Sequence, residues 1–268
     1  MSPSDQNEAS ETSVPAGGQP TTANHHVANT SAAISKLDSA RLRQRYDMYL
    51  ANHYTTVHMT VVSLALGIGG VTAATLIAPS PRFHGYQVAF WLLWLASLLA
   101  TAVAYAGTMI GSLFLPMRLP AVTDLLLPLS LGVFEFFLFA VLGFQATGLT
   151  LPISDIFAAW WFALGGFGVM ASASVWRVYF IIRSAGHEPD ISRTMRYYRR
   201  RLVSDGCAAA ATGAFGAGIG SLHIHRIISP RINYILSVLV VVGLAVGLVS
   251  HWRTARCLRK VLALEVAD

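Results

Sequence analysis

Six long apolar segments constrain this chain more than any other feature. Each is near or above the roughly 20 residues that a helix needs to cross the hydrocarbon core of a bilayer. The segments are residues 55–78, 87–115, 122–149, 156–182, 206–224 and 232–252. Only 12% of the residues are charged, about half the charge of a soluble domain. The sequence therefore predicts an all-α membrane protein, a bundle of about six transmembrane helices.

Lysine and arginine predict how the bundle is oriented. They flank the apolar segments instead of forming one basic face, so the net charge of +6 does not indicate a nucleic-acid partner. With the N-terminus in the cytoplasm, fifteen lie inside and only Arg82, Arg226 and Arg231 lie outside, while Arg177 lies within a span. This bias follows the positive-inside rule. We expect a multi-pass protein of the cell (inner) membrane with both termini cytoplasmic, N-in/C-in.

The segments outside the spans divide by composition. Residues 1–30 are polar and contain no apolar run, which predicts a disordered cytoplasmic tail. Residues 31–54 repeat leucine and tyrosine at helical spacing, which predicts an amphipathic juxtamembrane helix. The transmembrane domain is then 55–252, and 253–268 is expected to be a basic cytoplasmic C-terminal tail.

A basic stretch at 190–203 connects the fourth and fifth spans. Its apolar residues, Ile191, Met195, Tyr198 and Leu202, share one helical face, which predicts a basic interfacial helix separate from the fifth span. Five arginines on its other faces are candidates for contact with anionic lipid: Arg193, Arg196, Arg199, Arg200 and Arg201. An orientation signal alone would explain the same charges. Asp205 then serves as the N-cap of the fifth span.

Small residues dominate the fifth span, which predicts that it lies in the middle of the bundle. Alanine and glycine gain little from lipid contact but allow helix backbones to approach closely. The same pattern allows a homo-oligomer. Residues 65–73 and 163–171 share six of nine identities, as a three-plus-three inverted repeat would produce. Accidental similarity between small apolar residues is the alternative.

Glu135 is the most unusual residue of the spans, because it lies near the centre of the third. A carboxyl group there is costly and should face the interior of the bundle. It is either a proton or cation site, or a protonated carboxyl that donates a hydrogen bond to a neighbouring helix. Its depth-matched candidate partners are Thr101, Tyr105 and Thr212.

Two further charges complete the candidate intramembrane polar site. Asp124 shares a helical face with Glu135. It is either a cation ligand beside a carbonyl that Pro128 leaves without a donor, or the N-cap of the third span, and we prefer the cap. Arg177 lies two turns from the end of the fourth span, where it extends to the interface or pairs with Asp124 or Asp205.

The sequence contains no catalytic, cofactor or metal-ligand motif that would name an activity. The leading hypothesis is a small permease or channel-like protein that moves a small solute, proton or cation through a midplane site. The alternative is a non-catalytic assembly, immunity or anchoring subunit that binds a membrane protein partner. A membrane-embedded enzyme is third; it would depend on Asp124, Glu135, Asp205 or the histidines of the outer side. We expect no cofactor.

Overall fold

The computed structural model describes residues 59–77, 86–112, 122–143, 151–184 and 192–265. These residues form six helices and no strand. The helices are α1 (Met59–Ile77), α2 (Gln87–Ser112), α3 (Val122–Gly143), α4 (Ile153–Ser184), α5 (Ser192–Ile224) and α6 (Pro230–Glu265). Each contains a segment long and apolar enough to cross a membrane, which confirms the predicted number of helices. The predicted tail 1–30 and juxtamembrane helix 31–54 lie outside the described residues.

Helix α4, and not α5, is the central helix of the bundle. Its large side chains, Trp160, Trp161 and Leu164 among them, are fully buried, and it packs against both α3 and α5. Helix α5 is buried on one face only, and most alanines of its other face are exposed. The prediction of a central fifth span was therefore wrong. Large side chains make many van der Waals contacts with several neighbouring helices, whereas small residues require only one close neighbour.

That close neighbour is α4, and the contact is made by glycines. Gly165 and Gly168 of α4 face Gly213 and Gly216 of α5. A Cβ atom at Gly216 would lie 2.6 Å from the nitrogen of Gly165 and 2.7 Å from the carbonyl oxygen of Trp161. Because these are backbone atoms, they cannot rotate away. The two helices pack at a distance that only glycine permits.

The suspected internal repeat is not reflected in this packing. Gly67 and Gly70 of α1 align with Gly165 and Gly168 of α4 in the sequence comparison. A Cβ atom at either α1 position would meet no described atom within 4 Å outside its own helix, whereas Gly165 and Gly168 touch the α5 backbone. The aligned glycines therefore have different roles in the two halves.

Helices α5 and α6 extend beyond their predicted spans. The basic segment 190–203 and the fifth span form one continuous helix from Ser192, so Asp205 lies inside α5 and is not its N-cap. Helix α6 continues to Glu265, through most of the predicted tail 253–268. Neither extension contains proline or glycine, up to Asp205 in α5 or beyond Trp252 in α6. Leucine and arginine favour helix in both, and alanine adds to this in α6.

The apolar face of the basic segment packs against protein. Tyr198 and Leu202 are buried with Ile110 of α2 and Ile182 of α4 in a small second core. We call this part of the molecule the basic end: residues 196–201 of α5 together with Arg253 and Arg256 of α6. Packing against α2 and α4 explains why the helix continues without a break.

Candidate functional site

A cavity of about 740 Å³ lies among α2, α4, α5 and α6. Its volume is within the range of small-molecule binding sites. The part near the basic end is polar and is lined by Tyr198, Arg201, Asp205, His251 and Thr254. The opposite part is apolar and is lined by Leu131, Phe167, Phe215, Leu239 and Val240. The cavity therefore suits an amphiphilic ligand or a solute that passes from polar to apolar surroundings.

The cavity occupies a gap between α5 and α6. These helices meet where a short connection joins them, and there His223 Nε2 lies 3.1 Å from Asn233 Oδ1. Away from that end the two helices do not pack along their length. Phe215 on α5 is 41% exposed and Leu239 on α6 is 57% exposed, although both line the cavity. The cavity is therefore open sideways between α5 and α6.

An ion pair and a histidine form the polar part. Arg201 Nε donates to Asp205 Oδ2 at 3.0 Å, and Arg201 Nη2 lies 2.9 Å from Asp205 Oδ1. This is a bidentate pair one helical turn apart. The ring of His251, from α6, lies within electrostatic range of the Asp205 carboxylate. The polar groups of α5 and α6 thus face one another across the gap.

Two glycines of α2 leave space for this polar cluster. A Cβ atom at Gly107 would lie 3.6 Å from His251 Cε1, and one at Gly111 would lie 3.7 Å from the Tyr198 hydroxyl oxygen. The pair therefore accommodates polar side chains from two other helices, α5 and α6.

Glu135 is completely buried in α3, as the sequence predicts for its side chain. It is 1% exposed, and neither carboxylate oxygen has a hydrogen-bond partner among the described residues. A Cβ atom at Gly132, one turn earlier, would overlap Val61 of α1. An apolar side chain of α1 therefore occupies the space beside Gly132.

The two depth-matched threonine hydroxyl groups donate within their own helices. Thr101 Oγ1 donates to the carbonyl oxygen of Ser97 at 3.1 Å, and Thr212 Oγ1 donates to that of Ala208 at 3.0 Å. Tyr105 is half-buried on α2. The structure therefore does not join Thr101 or Thr212 to Glu135 by a hydrogen bond.

Thr101 nevertheless lies at the depth of Glu135. Ser97 of α2 donates to the carbonyl oxygen of Leu138 on α3 at 3.2 Å. Helices α2 and α3 run antiparallel. Thr101 lies one turn after Ser97 on α2, and Glu135 lies about one turn before Leu138 on α3. Because the helices are antiparallel, both steps run in the same direction. The depth match that the sequence predicts for this pair is therefore consistent with the structure.

Glu135 lies beyond the apolar part of the cavity. It does not line the cavity, but Leu131 does. Four residues of α-helix separate their Cα atoms by about 6 Å along the axis. The ring of Phe134 covers Gly166, the neighbour of cavity-lining Phe167. The cavity thus leads from the basic end to about one helical turn from the buried carboxyl group.

The other two charges of the predicted intramembrane site are not joined to Glu135. Asp124 lies inside the first turn of α3, which includes Val122, so the prediction that it caps the helix was wrong; its side chain lies outside the described part of the molecule. Arg177 is half-buried on α4. Of its two predicted partners, Asp205 pairs with Arg201, and the side chain of Asp124 is not among those described. The polar part of the cavity therefore forms around Asp205.

The five arginines predicted to contact anionic lipid have different surroundings. Arg196 and Arg200 are exposed at the basic end. Arg199 is half-buried, with its guanidinium carbon 5.7 Å from the ring centroid of Tyr179. Arg201 lines the cavity, and the side chain of Arg193 lies outside the described residues. Exposed and cavity-lining basic groups are thus side by side.

His251 is the residue of this site that the sequence analysis missed. Its signal was a titratable side chain at the last turn of the sixth span, at the same end of the bundle as Asp205. Of the described acids and histidines, these two line the cavity. No group of three or more histidine, cysteine, aspartate or glutamate residues in the described ranges could hold a metal ion.

No family model, curated protein or solved structure matches this chain. Six helices long and apolar enough to span a membrane are consistent with a polytopic membrane protein. The cavity and the buried carboxyl group are therefore the basis for assigning a function.

Proposed function

We propose that this chain is a small permease of the cell membrane, with several spans and both termini in the cytoplasm. The observation that supports it most is the cavity, which has a polar part at the basic end and reaches about one helical turn from Glu135. A pocket between helices that ends near a buried acid is typical of transport proteins. The excess of arginine and lysine at the basic end supports its cytoplasmic placement.

In this proposal the solute enters the cavity near Arg201 and His251 and moves towards the apolar part. Glu135 is the proton or cation site that couples this movement. An ionisable group at the centre of a span costs about 2.5–3.5 kcal/mol on insertion scales. Glu135 has no hydrogen-bond partner among the described residues to offset that cost. A structural role therefore accounts poorly for it, whereas transient protonation or cation binding requires an acid there.

A non-catalytic membrane partner is the second candidate, and the free face of α5 supports it. Ala208, Ala211, Ala214 and Gly218 are exposed on that face. Such a surface gains little from lipid and allows another helix to approach closely. A homo-oligomer or a membrane protein partner that covers this face would fit the same residues.

Reporter fusions test the proposed topology. Fusions after Arg82, Gly148 and Ser229 should report the outer side, because few basic residues flank these positions. Fusions after Arg118, Gly186 and Ala267 should report the cytoplasmic side. A cytoplasmic signal after Ser229 would contradict the separate crossing of α5 and α6.

Filling the cavity tests the permease itself. Gly243 of α6 lines the cavity, and a Cβ atom there would have no other described atom within 4 Å outside its own helix. Gly243→Phe should therefore fold normally, and it should reduce the flux of protons or cations across the membrane of reconstituted vesicles to the background level. Gly218→Phe is the matched control, because Gly218 is equally open but does not line the cavity. Equal flux in both variants and the parent would exclude the cavity as the route.

A further inference from the structure

The length of the cavity matches one leaflet of a bilayer. Along α5 its lining extends from Tyr198 to Phe215, about 25 Å of helix. The first part, to Asp205, contains the polar side chains and covers about 10 Å; the remainder is apolar except for Thr212, whose hydroxyl donates within its own helix. One leaflet has a hydrocarbon layer of about 15 Å under a headgroup layer of several ångströms. The polar and apolar parts of the cavity therefore follow the same order as the headgroup and hydrocarbon layers of one leaflet, and their lengths are similar to the thicknesses of those layers.

The charge at the polar end suits an anionic headgroup. Arg201 uses its Nε and Nη2 atoms in the pair with Asp205. A guanidinium group has five N–H donors, so three remain outside that pair and can meet phosphate oxygens. Arg196, Arg200 and Arg253 are exposed at the same end. Asp205 is the acid that lines the cavity, and Arg201 already neutralises it.

The sideways opening gives a lipid access without passing through water. Small residues border it on both sides, with Ala208 and Ala211 on α5 and Gly243 on α6, and all three are exposed. An acyl chain can lie between such residues because they leave width between the helix backbones. Phe167 on α4 is a buried apolar residue at the base of this gap.

We propose that the ligand of this cavity is an anionic phospholipid of the leaflet at the basic end, which enters sideways between α5 and α6. Its headgroup contacts Arg201 and His251, and one acyl chain lies along the apolar part towards Phe215. That the lipid is also the transported solute rests on the proposed permease function; its binding does not.

Photo-crosslinking tests this binding in the full-length protein. Vesicles of phosphatidylethanolamine contain a trace of phosphatidylglycerol or phosphatidylcholine with the same diazirine-labelled acyl chain. After irradiation, peptide mass spectrometry locates the attachment sites. The phosphatidylglycerol chain should attach to cavity-lining residues of α5 and α6, including Phe215 and Leu239. We expect a preference for phosphatidylglycerol of about fivefold, the contribution of one basic residue near an anionic headgroup.

Three variants distinguish a bound lipid from the general lipid surface. Gly243→Trp should abolish attachment inside the cavity, whereas Gly218→Trp, equally open but outside it, should leave attachment unchanged. The double variant Arg196→Gln with Arg253→Gln removes exposed positive charge at the polar end and keeps the neutral Arg201–Asp205 pair. It should retain attachment in the cavity but lose the preference for phosphatidylglycerol.

Two results would overturn the inference: equal attachment of both lipids in the parent, or equal loss of attachment in the two tryptophan variants. The flux of protons or cations is measured on the same vesicles. Cavity attachment without flux would support the bound lipid and contradict the permease. Flux without cavity attachment would support the permease and contradict the bound lipid.

Discussion

Replacing Gly216 with leucine is expected to remove most of the folded protein. A Cβ atom at this position would lie within 2.7 Å of backbone atoms of α4, so the two helices would have to separate. Overpacking a core typically costs about 1–3 kcal/mol, and the cost here should be at the upper end or above because backbone cannot rotate aside. The yield of monodisperse protein in mild detergent measures the effect, and Gly168→Leu should lower it equally.

Two other glycines of α5 extend this test to a graded series of expected yields. Gly218→Leu should accumulate like the parent, because a Cβ atom there meets no other described atom within 4 Å outside its own helix. Gly220→Leu should give an intermediate yield, since its neighbour at 3.0 Å is the ring of Phe162, which can move. Parent-like yield of Gly216→Leu would contradict the close α4–α5 contact.

The number of helices could be predicted from sequence because length and hydropathy determine it locally. Helix ends were harder to predict. The arginines of 196–201 indicate a membrane surface, but they do not show that α5 continues through Asp205 without a break. That continuity depends on Tyr198 and Leu202 packing against α2 and α4. Such contacts involve helices distant in sequence, so no local pattern contains them.

The arrangement of helices was also beyond the sequence. The small residues of α5 correctly indicated a close contact between helix backbones. They did not show that only one face of α5 makes such a contact. The large side chains of α4, such as Trp160 and Trp161, determine which helix is central. Their burial follows from the arrangement of all the helices and not from the composition of one.

The candidate site could be predicted in part. The depth of Glu135 and its burial follow from its position in the third span. The cavity could not be predicted, because α2, α4, α5 and α6 each contribute to it. Asp205 and His251 are 46 residues apart in the chain, and only the hairpin of α5 and α6 places both at the basic end.

Glu135 gives the second large expected effect. Glu135→Gln keeps the shape of the side chain and removes the ionisable proton, so the folded yield should be unchanged or higher. Neither carboxylate oxygen has a described hydrogen-bond partner that the change would disrupt. If Glu135 couples transport, this variant should lose flux completely. Glu135→Asp keeps the acid but shortens its reach, and it should retain part of the flux.

Flux through reconstituted vesicles is the measurement that tests the permease most directly. The parent, Glu135→Gln and Glu135→Asp are reconstituted at equal amounts into vesicles of phosphatidylethanolamine and phosphatidylglycerol. A pH-sensitive dye reports proton movement under imposed pH gradients and under gradients of several cations. We expect flux in the parent, partial flux with aspartate and none with glutamine. Unchanged flux in Glu135→Gln would exclude Glu135 as the coupling site. No flux in the well-folded parent under every gradient would contradict the permease and favour a non-catalytic membrane partner.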